Sequence, residues 1–310
     1  MKSGSNHERE TLAIVNPRAG AGRCGRRAGA VLSRIREGRP ALQVTETTGP
    51  GHAAELAAAA ARQGTVDFLV AGGDGTVFEV VNGLFGSGGI ADALSPRLGV
   101  LPLGTGNSLV EHFGVDLDHI VAAIVSGNTQ PMDVFRVRHQ DGELVVTSTL
   151  TLGLATAVAD TVNRWLKPLR GAAYHAGALI EILRGGSSRV RCRVVGSDNA
   201  RCDLDQESPL LAIQNTTTFG RGMHVAPDAR VDDGLGDLVI VDPVSRWELM
   251  KTLPKLYDGS HVAHPAVRCL RFDRLEFDQP APEPVMVDGE IRDLHLRSIG
   301  VVPEAVELYV

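Results

Sequence analysis

Aromatic residues are scarce: Phe, Trp and Tyr make up 4% of the 310 residues. Such a chain offers no row of aromatic platforms on which bases could stack. Basic excess is missing too. Lys and Arg number 31 against 37 acids, a formal net charge of -6, which argues against a nucleic-acid partner. No run approaches about 18 uncharged apolar residues, the length that spans a bilayer. The stretch Met1 to Glu10 is polar and charged, without the apolar core of a secretory signal. A cytoplasmic location is the expectation. Cys24, Cys192, Cys202 and Cys269 are scattered and form no CxxC pair, so reduced thiols fit better than a disulfide frame or a zinc site. His52, His112, His175 and His224 have no ligand-like spacing, and no GxxxxGK[ST] phosphate loop occurs.

Apolar and glycine content are ample. At 43% apolar, the chain can fill two ordinary cores. Its first 130 or so residues alternate short apolar runs with helical text. Thr11–Val15, Leu42–Thr45, Asp67–Ala71 and Arg97–Leu101 read as strands. Helices follow through Ala28, Val31, Leu32 and Ile35, then His52–Arg62, then to Phe85. Such alternation predicts a parallel sheet covered on both faces. Ligands of such sheets bind beyond the carboxyl ends of the strands.

At those ends lie the glycine turns. Gly72-Gly73-Asp74-Gly75-Thr76 follows one apolar run and precedes Val77, Val80, Val81 and Leu84, one face of a helix. Its glycines let the backbone approach a ligand, and the helix start favours anions. Asp74 would repel a bare phosphate but suits one that arrives with Mg2+. The plainer alternative makes Asp74 a local cap. Gly104-Thr105-Gly106-Asn107-Ser108 is a second such turn, with a helix-capping alternative of its own. Gly20-Ala21-Gly22-Arg23-Cys24-Gly25 matches GxGxxG, with Glu46 at a plausible distance for a ribose. Its context is poor, because Asn16 to Ala19 separates strand from glycine.

The texture changes near Asp133. Phe135-Arg136-Val137-Arg138 alternates, and Asp141-Gly142 offers a type I′ hairpin turn before Leu144–Val146. Helical text runs from about Val158 to Leu183. Strands are expected at Val190–Val194, Leu210–Gln214, Leu238–Val241, Arg271–Phe277, Val285–Val287 and Leu294–Leu296. This half reads as an antiparallel sandwich with a helical insertion. Asp232-Asp233-Gly234 is either a solvated acidic turn or a hard-cation site. Asp288-Gly289-Glu290 is a hairpin turn by its neighbours, and its two carboxylates could take a proton from a hydroxyl. Arg164, Lys167 and Arg170, interleaved with Trp165, Leu166 and Leu169, form either a solvated helix face or a basic one for anionic membrane.

In this order the motifs resemble the diacylglycerol-kinase catalytic family, which includes bacterial soluble lipid kinases and is similar to sphingosine and ceramide kinases. The matching text is Ile14-Val15-Asn16-Pro17 with Gly20, Gly72–Thr76, Pro102–Asn107, Phe219-Gly220-Arg221-Gly222-Met223 with Ala226-Pro227, Asp232–Leu235, and Asp288–Glu290. Val302–Val306 looks like the family's tail. One departure is Ser108, where many diacylglycerol kinases carry Asp.

The resemblance implies a nucleotide-binding α/β domain over 1–133, similar to NAD kinases and phosphofructokinases and completed by a tail at 300–310. A β-sandwich lipid domain would span 134–299, with ATP in the cleft between them. It implies an ATP- and Mg2+-dependent lipid kinase, acting on diacylglycerol or a relative at the membrane surface. A NAD kinase and a non-catalytic lipid-binding or regulatory protein on the same fold are the alternatives. Nucleotide contacts would come from Asn16, Thr47, Gly72, Gly73, Asp74, Gly75, Thr76, Val77, Phe78 and Thr105. Asp233, with the backbone carbonyls of Arg230 and Leu235, would hold a structural Mg2+. Glu290 or Asp288 would be the catalytic base, with Asp74 a third candidate, and the choice stays open. Oligomeric state also stays open, a homodimer included.

Overall fold

The computed structural model describes residues 10–86, 95–104, 107–166, 173–220, 222–278 and 283–310. Thr105, Lys167, Leu169, Arg170 and Arg221 lie outside the described residues. The chain divides into two compact units, Met1–Val134 with Val302–Val310, and Phe135–Val301.

In the first unit, β1 (Thr11–Val15), β2 (Leu42–Glu46), β3 (Asp67–Gly72) and β4 (Arg97–Pro102) run parallel in the order β2-β1-β3-β4. The end of β16 (Leu296–Tyr309) adds to β4, also in parallel, with Glu307 opposite Arg97. β1 and β3 are buried along their whole length, as strands covered on both faces must be. Helices α1 (Arg23–Gly38), α2 (His52–Arg62) and α3 (Asp74–Phe85) follow the first three strands. α1 buries Cys24, Ala28, Val31, Leu32 and Ile35, the expected helical stripe. α2 buries only alanines. It lies so close to α3 that a Cβ on Gly83 would come within 2.3 Å of the Ala54 carbonyl oxygen. Short helices α4 (Ser108–Phe113) and α5 (Leu117–Ser126) follow β4.

The second unit is antiparallel. One six-stranded sheet has the order β12-β11-β10-β7-β14-β15. Its strands are β7 (Thr149–Gly153), β10 (Leu210–Gln214), β11 (Gly236–Val241), β12 (Val267–Phe272), β14 (Glu283–Val287) and β15 (Glu290–Leu294). β8 (Ser188–Val195), β9 (Arg201–Ser208), β13 (Arg274–Phe277) and the start of β16 form further antiparallel pairs. β5 (Thr129–His139) and β6 (Gly142–Val146) make a hairpin.

Several boundaries differ from the sequence reading. The stretch expected as one strand, 271–277, breaks at Asp273, and its halves join different sheets. The helical text from Val158 also divides. α6 (Leu154–Thr161) runs into a π-helical turn at Val162–Leu166, and α7 (Ala173–Arg184) follows separately. Pro168 stands between them in the sequence, a helix breaker. The hairpin loop after β5 is Gln140-Asp141, one residue earlier than expected, with Gly142 already in the strand. In this turn the Gln140 N–H donates to the His295 carbonyl at 3.0 Å.

A buried charge cluster anchors the C-terminus. Tyr309 OH donates to Asp67 Oδ1 at 2.6 Å, and Arg39 Nη2 donates to Tyr309 OH at 3.1 Å. Arg39 Nε reaches the Ile124 carbonyl at 2.9 Å. Arg39, Asp67 and Tyr309 are all buried, so each needs its partners. Burial and the adjacent Asp67 carboxylate push the Tyr309 phenol up to about 12. The neutral phenol is favoured in the fold, whereas the unfolded chain releases that proton near 10. Stability from this group is therefore complete below about pH 10 and lost as pH rises toward 12. We expect Tyr309→Phe to cost about 1–3 kcal/mol at pH 8. Urea melts between pH 8 and 11.5 should steepen above pH 10 in the wild type and not in the variant.

Candidate active site at the glycine rim

Three loops meet at the carboxyl ends of β1, β3 and β4. The contacts leave no room for side chains. A Cβ on Gly104 would lie 2.4 Å from Gly73 Cα and 2.8 Å from the Gly72 carbonyl oxygen. A Cβ on Gly20, whose φ is +60°, would lie 2.9 Å from the Leu103 carbonyl oxygen. Glycine is required at both positions for close approach. Asn16 Nδ2 donates to Thr76 Oγ1 at 3.0 Å, which ties the first loop to the second. Thr47, just after β2, donates its N–H to Val15 O at 2.8 Å. The structure thus places Asn16 and Gly72–Thr76 together. Val77 and Phe78 have their side chains in the core, so only their backbone faces the rim. Near the helix start, the Thr76 and Val77 N–H groups already donate to Gly73 O. The preceding N–H groups have no partner inside the helix.

Asp74 is the first residue of α3 and is half-buried. Its Oδ1 accepts the Ser108 N–H at 2.9 Å and its Oδ2 the Ser108 hydroxyl at 3.2 Å. A capping role is therefore present in an unexpected form: Asp74 caps the start of α4. Ser108 takes part in that contact through both backbone and side chain.

In the second unit, β14 and β15 pair with Val287 opposite Glu290. Asp288 and Gly289 form the two-residue turn with φ of +44° and +88°, the type I′ signature. Asp288 is buried and accepts four hydrogen bonds. Thr147 N and Oγ1 donate to Oδ2 at 2.8 and 3.0 Å, and Ser148 N and Thr149 N to Oδ1 at 2.9 and 3.0 Å. Burial pushes its carboxyl up, and these donors work against the rise. A carboxylate offers about four lone-pair sites, and all four are used. Glu290, two residues on, is exposed.

The acidic turn is a mixed-charge cluster. Asp233 Oδ1 accepts the Leu235 N–H at 3.1 Å, and its Oδ2 pairs with Arg271. Arg230 pairs with Asp232 at 3.4 Å. Buried Asp237 leaves Oδ2 without a hydrogen-bond partner. Burial pushes Asp237 up to about 6, with Arg271 opposing and Asp233 and Asp228 adding to the rise. Carboxylates outnumber cations here. That balance suits a divalent ion held by one side chain, backbone carbonyls and waters. Among the described residues no group of three His, Cys, Asp or Glu forms an all-side-chain metal site.

A mostly parallel α/β unit with glycine turns at its strand ends, followed by an antiparallel unit, is the architecture of the diacylglycerol kinase and NAD kinase-like fold. Residues 10–137 match the diacylglycerol kinase catalytic domain. Residues 148–310 match the YegS C-terminal NAD kinase beta sandwich-like domain. The chain belongs to this diacylglycerol-kinase family in its YegS-like form. A relative named "Diacylglycerol kinase" from Mycobacterium tuberculosis is 29% identical, over 96% of this chain and 94% of that protein. One named "Probable lipid kinase YegS-like" from Xanthomonas campestris is 30% identical over 80% of each. Two solved Bacillus anthracis structures share the fold. One has a TM-score of 0.78 at 20% identity, covering 100% and 97% of the two chains. The other, a diacylglycerol kinase, has a TM-score of 0.70 at 17% identity, covering 97% and 96%.

Sequence reasoning passed over three residues that shape the rim. Ser108 entered as a helix cap and as a departure from the family pattern, not as the donor to Asp74. Glu79 on α3 accepts the Gly51 and Ala53 N–H groups at 2.9 and 3.2 Å, so it fixes the start of α2. Arg23 Nε donates to Gly20 O at 3.0 Å, which sets a guanidinium beside the rim. Its signal was available, since a base just past a glycine loop faces any bound anion. We expect Gly104→Ala to drive the second loop off Gly73 and to cost about 1–3 kcal/mol. Gly114→Ala is not a suitable control because φ there is +64°. Gly29→Ala in α1, with open space around it, is one and should be neutral or stabilising in the same thermal melts.

Proposed function

We propose that this protein is an ATP- and Mg2+-dependent lipid kinase, with diacylglycerol or a close relative as acceptor. The observation that carries the reading is the contact of the two glycine turns, with Asp74 held at their junction. Family membership supports it. Phosphoryl transfer asks a protein mainly for positioning and charge neutralisation. In this reading the N–H groups at the start of α3, with Asn16, Thr47 and Thr105, line the nucleotide phosphates. Arg23 adds positive charge at the same rim. Mg2+, when bound, neutralises phosphate charge, and Asp74 would hold it. A second, structural ion would sit at Asp233 with the carbonyls of Arg230 and Leu235.

Glu290 is the favoured proton acceptor. As the lipid hydroxyl attacks, a bond forms from its oxygen to the γ-phosphorus. The bond from that phosphorus to the β,γ-bridging oxygen breaks, ADP leaves, and Glu290 takes the hydroxyl proton. Asp288 has its lone pairs committed to Thr147–Thr149, so it shapes the turn that presents Glu290. Among the described residues no helix is long and apolar enough to cross a membrane, and the enzyme would visit the cytoplasmic membrane surface reversibly.

The test is terminal-phosphate transfer from labelled ATP to a lipid panel, with NAD included. Label should appear on a diacylglycerol-type lipid and require Mg2+. Label on NAD alone would overturn the reading, and bound lipid without transfer would point to a regulatory protein. Two variants separate the carboxylates. Glu290→Gln should lower turnover at least ~100-fold and shift stability by less than about 0.5 kcal/mol. Asp288→Ala should cost about 3 kcal/mol or more, because it strands three buried N–H groups. A Glu290→Gln enzyme with near-normal rate returns the base role to Asp74.

A further inference from the structure

The chain has two tryptophans, and the second unit exposes both. Trp165 is 76% exposed and Trp247 67%. Both lie on elements that pack against α7. Trp165 sits in the π-helical turn Val162–Leu166. Trp247 sits in α8 (Arg246–Thr252). α7 itself buries Ala178 and Ile182 and leaves Leu179 and Leu183 48% and 54% exposed. Positions i and i+4 share one face of a helix, so these two leucines form an outward apolar ridge.

α8 is unusual in another way. It carries Trp247, Leu249 and Met250, yet none of its residues is buried. A complete capping box of Ser245 and Glu248 holds it in shape. The Arg246 guanidinium packs over Gly185 at the end of α7, where an added Cβ would lie 2.6 Å from Nη2. The two helices are therefore fixed to each other, with Leu179, Leu183 and Trp247 exposed to water. Single exposed apolar residues are ordinary; a contiguous group marks an interaction site.

The charges beside this group identify its occupant. From Arg246 to Leu256 stand Arg246, Lys251 and Lys255 against the single acid Glu248. Arg164 and Arg184, exposed on the tryptophan turn and at the end of α7, are paired with Asp160 and Glu181, so the excess of positive charge rests on Arg246, Lys251 and Lys255. The whole chain is acidic, so this is a local reversal of sign. Indole rings, leucines and bases on short helices are the chemistry of an anionic bilayer interface.

We propose that α7, α8 and the Trp165 turn form a membrane-docking face that seats on anionic phospholipid, with both indoles at headgroup depth. The proposal extends the lipid-kinase reading by naming the surface that meets the bilayer.

Tryptophan emission of the full-length protein reads this face alone, because no tryptophan lies elsewhere. Phosphatidylglycerol vesicles should shift the emission to the blue and sediment the protein; phosphatidylcholine vesicles should do neither. Brominated acyl chains should quench the shifted emission. Lys251→Glu with Lys255→Glu should weaken binding at least about tenfold, since each base near such a surface is worth roughly a fivefold factor. Trp247→Ala should weaken it further and remove part of the shift. Circular dichroism confirms that these surface variants fold. Sedimentation without any change in emission would overturn the proposal, because another face would then bind. Absence of sedimentation would also overturn it. A blue-shifted emission without lipid that is lost on dilution would assign the face to a second copy of the chain instead. Glu290→Gln should bind vesicles like the wild type, so failure of kinase activity and failure of docking are read separately.

Discussion

Backbone N–H groups at loop and helix starts lack partners of their own, and here carboxylates reach across from other segments to satisfy them. Asp74 holds Ser108, and Glu79 holds Gly51 and Ala53. Asp133 accepts the N–H of Glu304, whose φ of +48° is uncommon for a residue with a side chain. Asp288 collects Thr147, Ser148 and Thr149. Each bond is charge-assisted and so stronger than a neutral one. In the first unit two of these acids lie on α3, and they pull the starts of α2 and α4 onto it. The spacing of the glycine loops depends on that grip. With α4 tied to Asp74, Gly104 is pressed onto Gly73, and no larger residue fits.

Amide-held acids differ in what they leave accessible. Asp288 is wholly buried, and its four donors leave no lone pair for a proton. Asp74 accepts from Ser108 and stays half-buried at the rim. Under the proposed function this divides labour by environment. One carboxylate is structural, one faces the phosphates with its orientation fixed, and exposed Glu290 remains able to take a proton. Most of these donors are backbone N–H groups, so the orientation of Asp74 and Asp288 depends on the path of the chain at 108 and 147–149 more than on the side chains there.

Much of the first unit was legible in the sequence because its signals are local. Four strands ended within a residue or so of the expected positions, and β3 and β4 stop at a glycine and a proline. The α1 stripe followed from spacing alone, and the Asp288-Gly289 turn from two residues between β-rich runs. Cross-chain contacts were not legible. Nothing near Asp74 reveals that Ser108, 34 residues on, supplies its donors. The division at Asp273 was missed because both halves are strand-like; a change of sheet leaves no mark on local propensity. β7 was missed for a related reason. Thr149 and Thr151 alternate with Leu150 and Leu152, which suggests one wet face, yet both faces are buried. The polar face is covered by hydrogen bonds such as Gln214 Nε2 to Thr149 Oγ1 at 2.7 Å.

Net charge is a poor guide to surface preference in a molecule of this size. At physiological ionic strength a charge is felt over about 8 Å, far less than the breadth of either unit. An anionic bilayer therefore responds to the bases nearest it and not to the sum of -6. Asp160 offsets Arg164 and Glu181 offsets Arg184, while Glu248 is held in the Ser245 cap, so the local excess rests on Arg246, Lys251 and Lys255. Lys251 and Lys255 are exposed beside Trp247, which itself buries little. Attraction by the bases and insertion of the indole then act on the same short helix.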